Sequence, residues 1–426
     1  MMTSTAPHPD QTSTPARAAN PGSDPETDQI ADETIETIDA FADSAMIAAV
    51  EKNSTAGLPG SIAGAINNSE WQSPYGKSMT KNIWYFAVAG DSLKRGQIVS
   101  KVMVNEPVLV GRDSEGKVFA MRDICPHQAV KLSAGHFDGK EVECPFHGWR
   151  FDTAGVCTDV PSLCADQKMN TKKICTRSFF CREVLGSVWV YFGNATDEKD
   201  LPEVPYAPGL DGCTYHKATT TLLLPTHIDY AVAALIDTAH VPFVHKSWWW
   251  RSRHSMKEKA KTYVPSGSGW TMVKHKPSQH SMVFKMIGKY IETEISFRLP
   301  GCRREYLSIH DKTILAGITT LTPIDDTHTE LNHTTYWTPA LLRPFRPVVK
   351  PIVDYFVTTF LTQDQDLAVM QSEILGKYKP RLIMTIKDAG TPGHWYFLLK
   401  KEWNDATEKG RAFKNPIKET ILRWRT

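Results

Sequence analysis

Two short clips of the sequence, Cys125-Pro126-His127 and Cys144-Pro145-Phe146-His147-Gly148-Trp149, lie sixteen residues apart, and no other feature limits the fold so sharply. Each arm offers one thiolate and one imidazole, so the chain has to bring two loops together around a single metal group. A rigid scaffold must present both loops. Short apolar runs at 83–89, 98–104, 108–111, 118–122 and 187–192, separated by Gly, Asp and Ser, predict the strands of an all-β unit over residues 80–195. Zinc suits two Cys and two His. Against it stand the mixed order, one of each in both arms, and the Gly148 that follows the second arm.

A second constellation lies about ninety residues further on, Asp237-Thr-Ala-His240-Val-Pro242-Phe-Val-His245. On an unbroken helix, histidines five apart point about 140° away from each other. Pro242 predicts a break after His240 that lets His245 turn back toward the same ion. A helix is expected over 235–241, with Asp237 one turn before His240 on the same face, placed to hydrogen-bond an imidazole. Two histidines make two-thirds of a 2-His-1-carboxylate triad, and the third ligand has two candidates on a helix at 360–375, Asp364 and Asp366. Residues two apart on a helix face different ways, so one of them at most serves. Strands are expected at 271–275, 292–299, 313–321 and 329–338, which makes the part after residue 200 α+β.

Together these motifs resemble the Rieske non-haem iron oxygenases, specifically the terminal oxygenase (α) subunit, across about residues 80–400. The resemblance implies a Rieske [2Fe–2S] cluster held by Cys125 and Cys144 on one iron and His127 and His147 on the other. It implies a helix-grip (START-like) catalytic domain over 200–426 with a mononuclear Fe(II) on His240, His245 and Asp364, the aspartate preceding Gln371 by seven positions. It implies a homotrimeric head-to-tail ring in which Asp237 carries electrons from one subunit's cluster to its neighbour's iron. Substrate would be a hydrophobic, cyclic or aromatic small molecule, hydroxylated or demethylated with O2. Two departures from the family stand out: Gln128 replaces an Arg after the first His, and Ala234 replaces an Asn three residues before Asp237. A Rieske electron carrier and an inactive relative are the alternative readings.

With 49 basic and 47 acidic residues the chain carries a net +2, which gives no overall field for nucleic acid. The charge is uneven, however: residues 1–60 hold a net −8 and leave +10 on the remainder, compatible with an acidic ferredoxin or a separate NAD(P)H-dependent reductase as electron donor. Residues 1–75 read as a disordered acidic extension with an amphipathic helix at 28–52, which serves either partner docking or packing on the same chain. The eight cysteines suggest no disulfide framework, and no signal peptide or 18-residue apolar run is present, so a cytoplasmic protein without a membrane span is expected. Trp248-Trp249-Trp250 reads equally as pocket lining or core packing, and Ser266-Gly-Ser-Gly269 as a hairpin turn.

Overall fold

The computed structural model describes residues 79–205, 210, 215–245, 256–277, 290–337, 346–378 and 385–426. The acidic extension with its 28–52 helix, Trp248 to Trp250 and Cys213 lie outside the described residues.

The first unit is made entirely of strands: β1 (Ile83–Ala89), β2 (Gln97–Met103), β3 (Glu106–Arg112), β4 (Val118–Arg122), β5 (His136–Phe137), β6 (Glu141–Glu143), β7 (Arg150–Asp152), β8 (Cys157–Asp159), β9 (Ser178–Phe179), β10 (Cys181–Val184) and β11 (Ser187–Phe192). They form three antiparallel sheets, ordered β1-β11-β10, β2-β3-β4-β9 and β5-β6-β7-β8. Strand β1 is apolar on both faces because both faces are covered. Ile83, Tyr85 and Ala87 enter the main core, whereas Trp84 and Phe86 join a second cluster with Trp189 and Tyr191. The small β5-β8 sheet is a platform for the metal-binding loops, packed through Phe137, Val142 and Phe151.

The second unit follows in β12 (His216–Leu224), α1 (Ile228–Ile236), α2 (Val241–Val244), β13 (Glu258–Ser266), β14 (Gly269–His275), β15 (Ile291–Arg298), β16 (Cys302–Ile309), β17 (Lys312–Pro323), β18 (Thr329–Trp337), α3 (Arg346–Tyr378), α4 (Thr391–Glu408) and β19 (Thr420–Arg425). Its eight strands make one antiparallel sheet, β12-β18-β17-β16-β15-β14-β13-β19. One face carries Tyr263, Trp270, Phe297, Leu321 and Leu331 and packs against Leu361 and Ala368 of α3 and Trp395 to Phe397 of α4, the helix-grip arrangement. The other face, with Cys302, Tyr306, Ile318 and Tyr336, packs near Leu185 of the first unit. The fold is therefore α+β, an all-β unit followed by a helix-grip unit. The expected hairpin forms at Gly267-Ser268, where Gly267 takes φ +50.

One local expectation fails. The helix carrying Asp237 spans Ile228–Ile236 and stops before that residue, which is extended at φ −64, ψ 129. The Asp237 carboxylate instead accepts a hydrogen bond from the Ala239 backbone N–H at 2.6 Å, the side-chain-to-backbone turn that competes with helix continuation. Asp237 and His240 thus share no helix face.

Candidate metal centres

The two cysteine loops repeat one backbone design. Cys125 N–H donates to Val130 O at 2.8 Å while Ala129 N–H returns to Cys125 O at 2.9 Å; Cys144 N–H donates to Trp149 O at 2.8 Å while Gly148 N–H returns to Cys144 O at 3.1 Å. The turn closes only if the fourth residue after each Cys has positive φ, and Ala129 (+57) and Gly148 (+69) do. Each loop places its thiol inward and its imidazole outward. Cys125 and Cys144 are 1% and 2% exposed and touch each other, whereas the His127 and His147 rings stand 4.7 Å apart at the surface side. Burial pushes the Cys125 thiol up, and the His127 and Gln128 backbone N–H groups aimed at it pull the other way. Those same donors would stabilise a thiolate bound to iron. Trp149 stacks on His127 at 4.5 Å and 3°, fixing the ring plane. Two buried thiols and two outward imidazoles fit a [2Fe–2S] group with unlike irons. His136, between the arms, is exposed on β5 opposite Glu143 and joins neither pair.

The second site is assembled from α2 and α3. Pro242 does more than end a helix: it sits in the first turn of α2, where its missing N–H is harmless, and that single turn runs from His240 to His245. The two rings are brought to 5.3 Å. Asp364, on α3, closes the group: its Oδ1 lies 3.9 Å from His240 Nε2 and 3.6 Å from His245 Nε2, and all three ligand atoms fall within 4.8 Å of one another. Asp366 is exposed and outside the group, so of the two carboxylates it is Asp364 that the fold brings to the histidines.

Electrostatics suit a cation here. Burial lowers His240, and it lowers His245 to about 3, helped by the neighbouring His240; both are neutral near pH 7. Burial raises the Asp364 carboxyl to about 7. Gln363, which the motif reading did not single out, lies 3.1 Å from His245 Nδ1 through its Oε1. An amide oxygen only accepts, so Nδ1 carries the proton and Nε2 keeps its lone pair. That Nε2 is buried without a hydrogen-bond partner. The Phe360 ring lies on His245 at 3.4 Å and locks its orientation. An orphaned buried lone pair, a second neutral imidazole and a destabilised carboxyl fit a divalent metal ion with open positions. Asp237 is exposed, and His240 meets its backbone oxygen as well as its charge.

A further group acts on this site from the sheet. Arg303 of β16 lowers His240, His245 and Asp364 alike through its positive charge. No local motif marks it, because it meets the other residues only through the fold.

Comparison with known proteins agrees with this construction. The family model for the Rieske [2Fe-2S] domain matches residues 83–173. Chlorophyllide a oxygenase of Arabidopsis thaliana is 30% identical over 185 residues, 43% of this chain and 32% of that protein. The iron-sulfur subunit of the toluene-4-sulfonate monooxygenase system of Comamonas testosteroni is 28% identical over 171 residues, 39% of this chain and 46% of that one. The chain thus matches about a third to a half of the length of these relatives. Among solved structures, dicamba monooxygenase bound to dicamba aligns with a TM-score of 0.64 at 16% identity, covering 79% of this chain and all (100%) of that one. NdmA of Pseudomonas putida aligns at 0.58 and 16%, covering 77% and 92%. The class is therefore a Rieske [2Fe–2S] domain followed by an α+β unit. Relatives named as oxygenases are among its homologues, and its fold is that of Rieske oxygenase structures such as dicamba monooxygenase.

Proposed function

We propose that this chain is the oxygenase component of a multicomponent Rieske system, which hydroxylates or demethylates a hydrophobic, cyclic or aromatic small molecule with O2. The observation that carries the reading is the convergence of His240, His245 and Asp364 in a chain that also presents Cys125, His127, Cys144 and His147 as one cluster-binding set. When bound, the [2Fe–2S] group supplies single electrons and ferrous iron supplies dioxygen chemistry, its three protein ligands leaving positions open. The residues do the rest. Gln363 fixes the His245 tautomer, Phe360 excludes water from its ring, and the helix-facing sheet surface holds the substrate beside the triad. In the Comamonas relative, the name specifies a sulfonated aromatic; in this chain an aromatic substrate is supported by that relationship and by the apolar face around Phe297, Leu321 and Leu331.

Both redox ends carry exposed features suited to a second copy. Phe146 beside His147 is 55% exposed, Asp237 is exposed, and Phe243 and Met370 near the triad residues are 41% and 54% exposed. We therefore read the assembly as a homotrimer in which Asp237 bridges the cluster of one subunit to the iron of the next. Units 80–195 and 200–426 divide the cluster and iron roles. Electrons would come from a separate NAD(P)H-dependent reductase or ferredoxin. A reducing cytoplasmic setting is supported by the absence of disulfides among the described cysteines, and no described helix is long and apolar enough to cross a membrane.

Iron and acid-labile sulfide per chain, with an EPR spectrum after reduction, test the reading. About three irons and two sulfides with a Rieske-type signal are expected. About two irons that stay two after Fe(II) is added would return the chain to an electron carrier or an inactive relative.

A further inference from the structure

The face of the eight-stranded sheet turned toward α3 and α4 carries a polar row among its apolar residues, with Glu305 and Thr335 beside it. In register, Arg303 of β16 opposes Thr319 of β17, Thr319 opposes His333 of β18, and His333 opposes Thr220 of β12, so all four side chains leave the same face. Thr319 and Thr335 hydroxyls hold the two His333 ring nitrogens at 2.8 and 3.1 Å, and burial lowers this imidazole to about 4. His333 is therefore a neutral, fixed dipole. Next to Arg303 in the sheet, Gly317 sits between Glu305 and Thr335 without a side chain, and the His333 ring packs over it, 3.1 Å from where a Cβ would stand. Around the row lie Ile295, Phe297, Leu307, Leu321 and Leu331.

Arg303 is the cation of this row. Its guanidinium is 26% exposed and gives one N–H to Glu305 at 3.0 Å, out of five donors. The two charges are not seen equally by their surroundings. Arg303 acts on His240, His245, Asp364 and His333, whereas Glu305 acts on His275 and is absent from the influences on the triad. The positive charge of the pair is thus felt at the metal site, and at Tyr263 of β13 as well, whereas the negative charge of Glu305 is felt at His275 of β14. Of the five donors, Glu305 occupies one, and a planar fork matches a carboxylate or sulfonate through two parallel hydrogen bonds.

We propose that the substrate of this site is an organic anion, an apolar ring bearing a carboxylate or sulfonate, and that Arg303 holds the anionic group while the ring lies on the apolar sheet face beside His240, His245 and Asp364. The assignment deepens the oxygenase reading and rests on it for what is done to the bound molecule. Arg303 is then the residue that determines specificity, since anchoring the charge fixes which ring carbon faces the triad.

The test is calorimetric titration of the full chain, iron-loaded and iron-free, with benzoate, 2-naphthoate and benzenesulfonate against their neutral amides. At least one anion is expected to bind about tenfold or more tighter than its amide, with and without iron. Arg303→Gln should abolish the difference and Arg303→Lys keep part of it, because Lys retains the charge without the fork. Glu305→Gln should tighten anion binding by a few fold, an opposite sign that general damage to the sheet does not produce. Equal binding of amides, no binding of any anion, or an anion preference that needs iron and survives Arg303→Gln would overturn the proposal. Iron counted on the same samples separates the two readings. An Arg303-dependent preference in protein that takes up no third iron overturns the oxygenase reading alone, and indifference to charge in protein that holds it overturns the anion site alone.

Discussion

Burial holds the Asp364 carboxyl at about 7 against 3.8 for an ordinary aspartate, so in metal-free protein the proton on it is part of what keeps the site folded. The contribution is complete below pH 3.8 and is lost as pH rises through about 7, since the unfolded chain ionises first. Iron-free Asp364→Asn should therefore melt roughly 2–4 °C above iron-free wild type at pH 8, with the difference shrinking as pH falls and closing only below about pH 4. Added Fe(II) should raise the wild-type midpoint and leave the variant unchanged. A variant less stable than wild type at pH 8 by calorimetry would refute the burial argument. The cluster loops offer a second residue-scale test. Gly148 at φ +69 has only ordinary contact space for a Cβ, against Pro161, so Gly148→Ala should cost about 1 kcal/mol from conformation alone, and Ala129→Gly, at φ +57, should cost nothing. Denaturant midpoints measure both; equal losses would show that the loops do not share one design. The ligands were legible in the sequence because a metal needs specific atoms at short spacing. Gln363 and Arg303 were not, since an amide and a guanidinium are ordinary surface residues until the fold turns them toward His245 and Asp364.

At the scale of elements, the strands read correctly were those with unbroken apolar runs, β1, β4 and β11 matching to the residue. Strands β12, β13, β16 and β19 escaped because each has one solvated or polar face, as in the alternating exposure of Thr420–Arg425, and β12 and β19 in addition gain their partners only from a distant strand. Helix α1 was misplaced because its start is hidden. His227 caps it through Nδ1, accepting from Asp229 N–H at 3.1 Å, an unusual residue in that role. The helix is then pinned from a far part of the chain: Lys400 and Tyr396 of α4 donate to Asp229 Oδ1 at 2.6 and 2.7 Å, with Asp229 and Lys400 0% and 1% exposed. This buried pair sets the height of α1 and hence of the Asp237–His245 segment that follows it. Lys400→Met should cost about 3–5 kcal/mol, leaving a buried carboxylate without its cation, and Asp229→Asn in the same chain should recover a large part. Urea unfolding of the four species decides it, and strict additivity would mean the two side chains are not coupled.

The two units of one chain are joined by direct hydrogen bonds and an ion pair. Val104 and Asn105 N–H groups donate to Pro323 and Ile324 carbonyls at 2.7 and 3.0 Å, Thr322 Oγ1 donates to Phe86 O at 2.8 Å, and Lys101 pairs with Glu330 at 2.6 Å. These bonds tie the unit that carries the cluster loops to the unit that carries the triad. In the proposed head-to-tail ring, the exposed Asp237 and the exposed Phe146–His147 tip would be the two ends of a contact between subunits. The whole-molecule prediction is complementation. A chain with Cys144→Ala lacks a cluster and a chain with His240→Ala lacks a metal site, so each alone should turn over no substrate. Co-expressed in equal amounts they form mixed rings, in which an intact cluster meets an intact iron site at about one junction in four, and about a quarter of wild-type turnover per chain should return. With Asp237→Ala added to the chain that keeps the iron site, the recovered activity should vanish while metal content stays the same. Mixed rings that remain inactive, with both intact centres confirmed by EPR, would place the electron path inside a single chain and remove Asp237 from it.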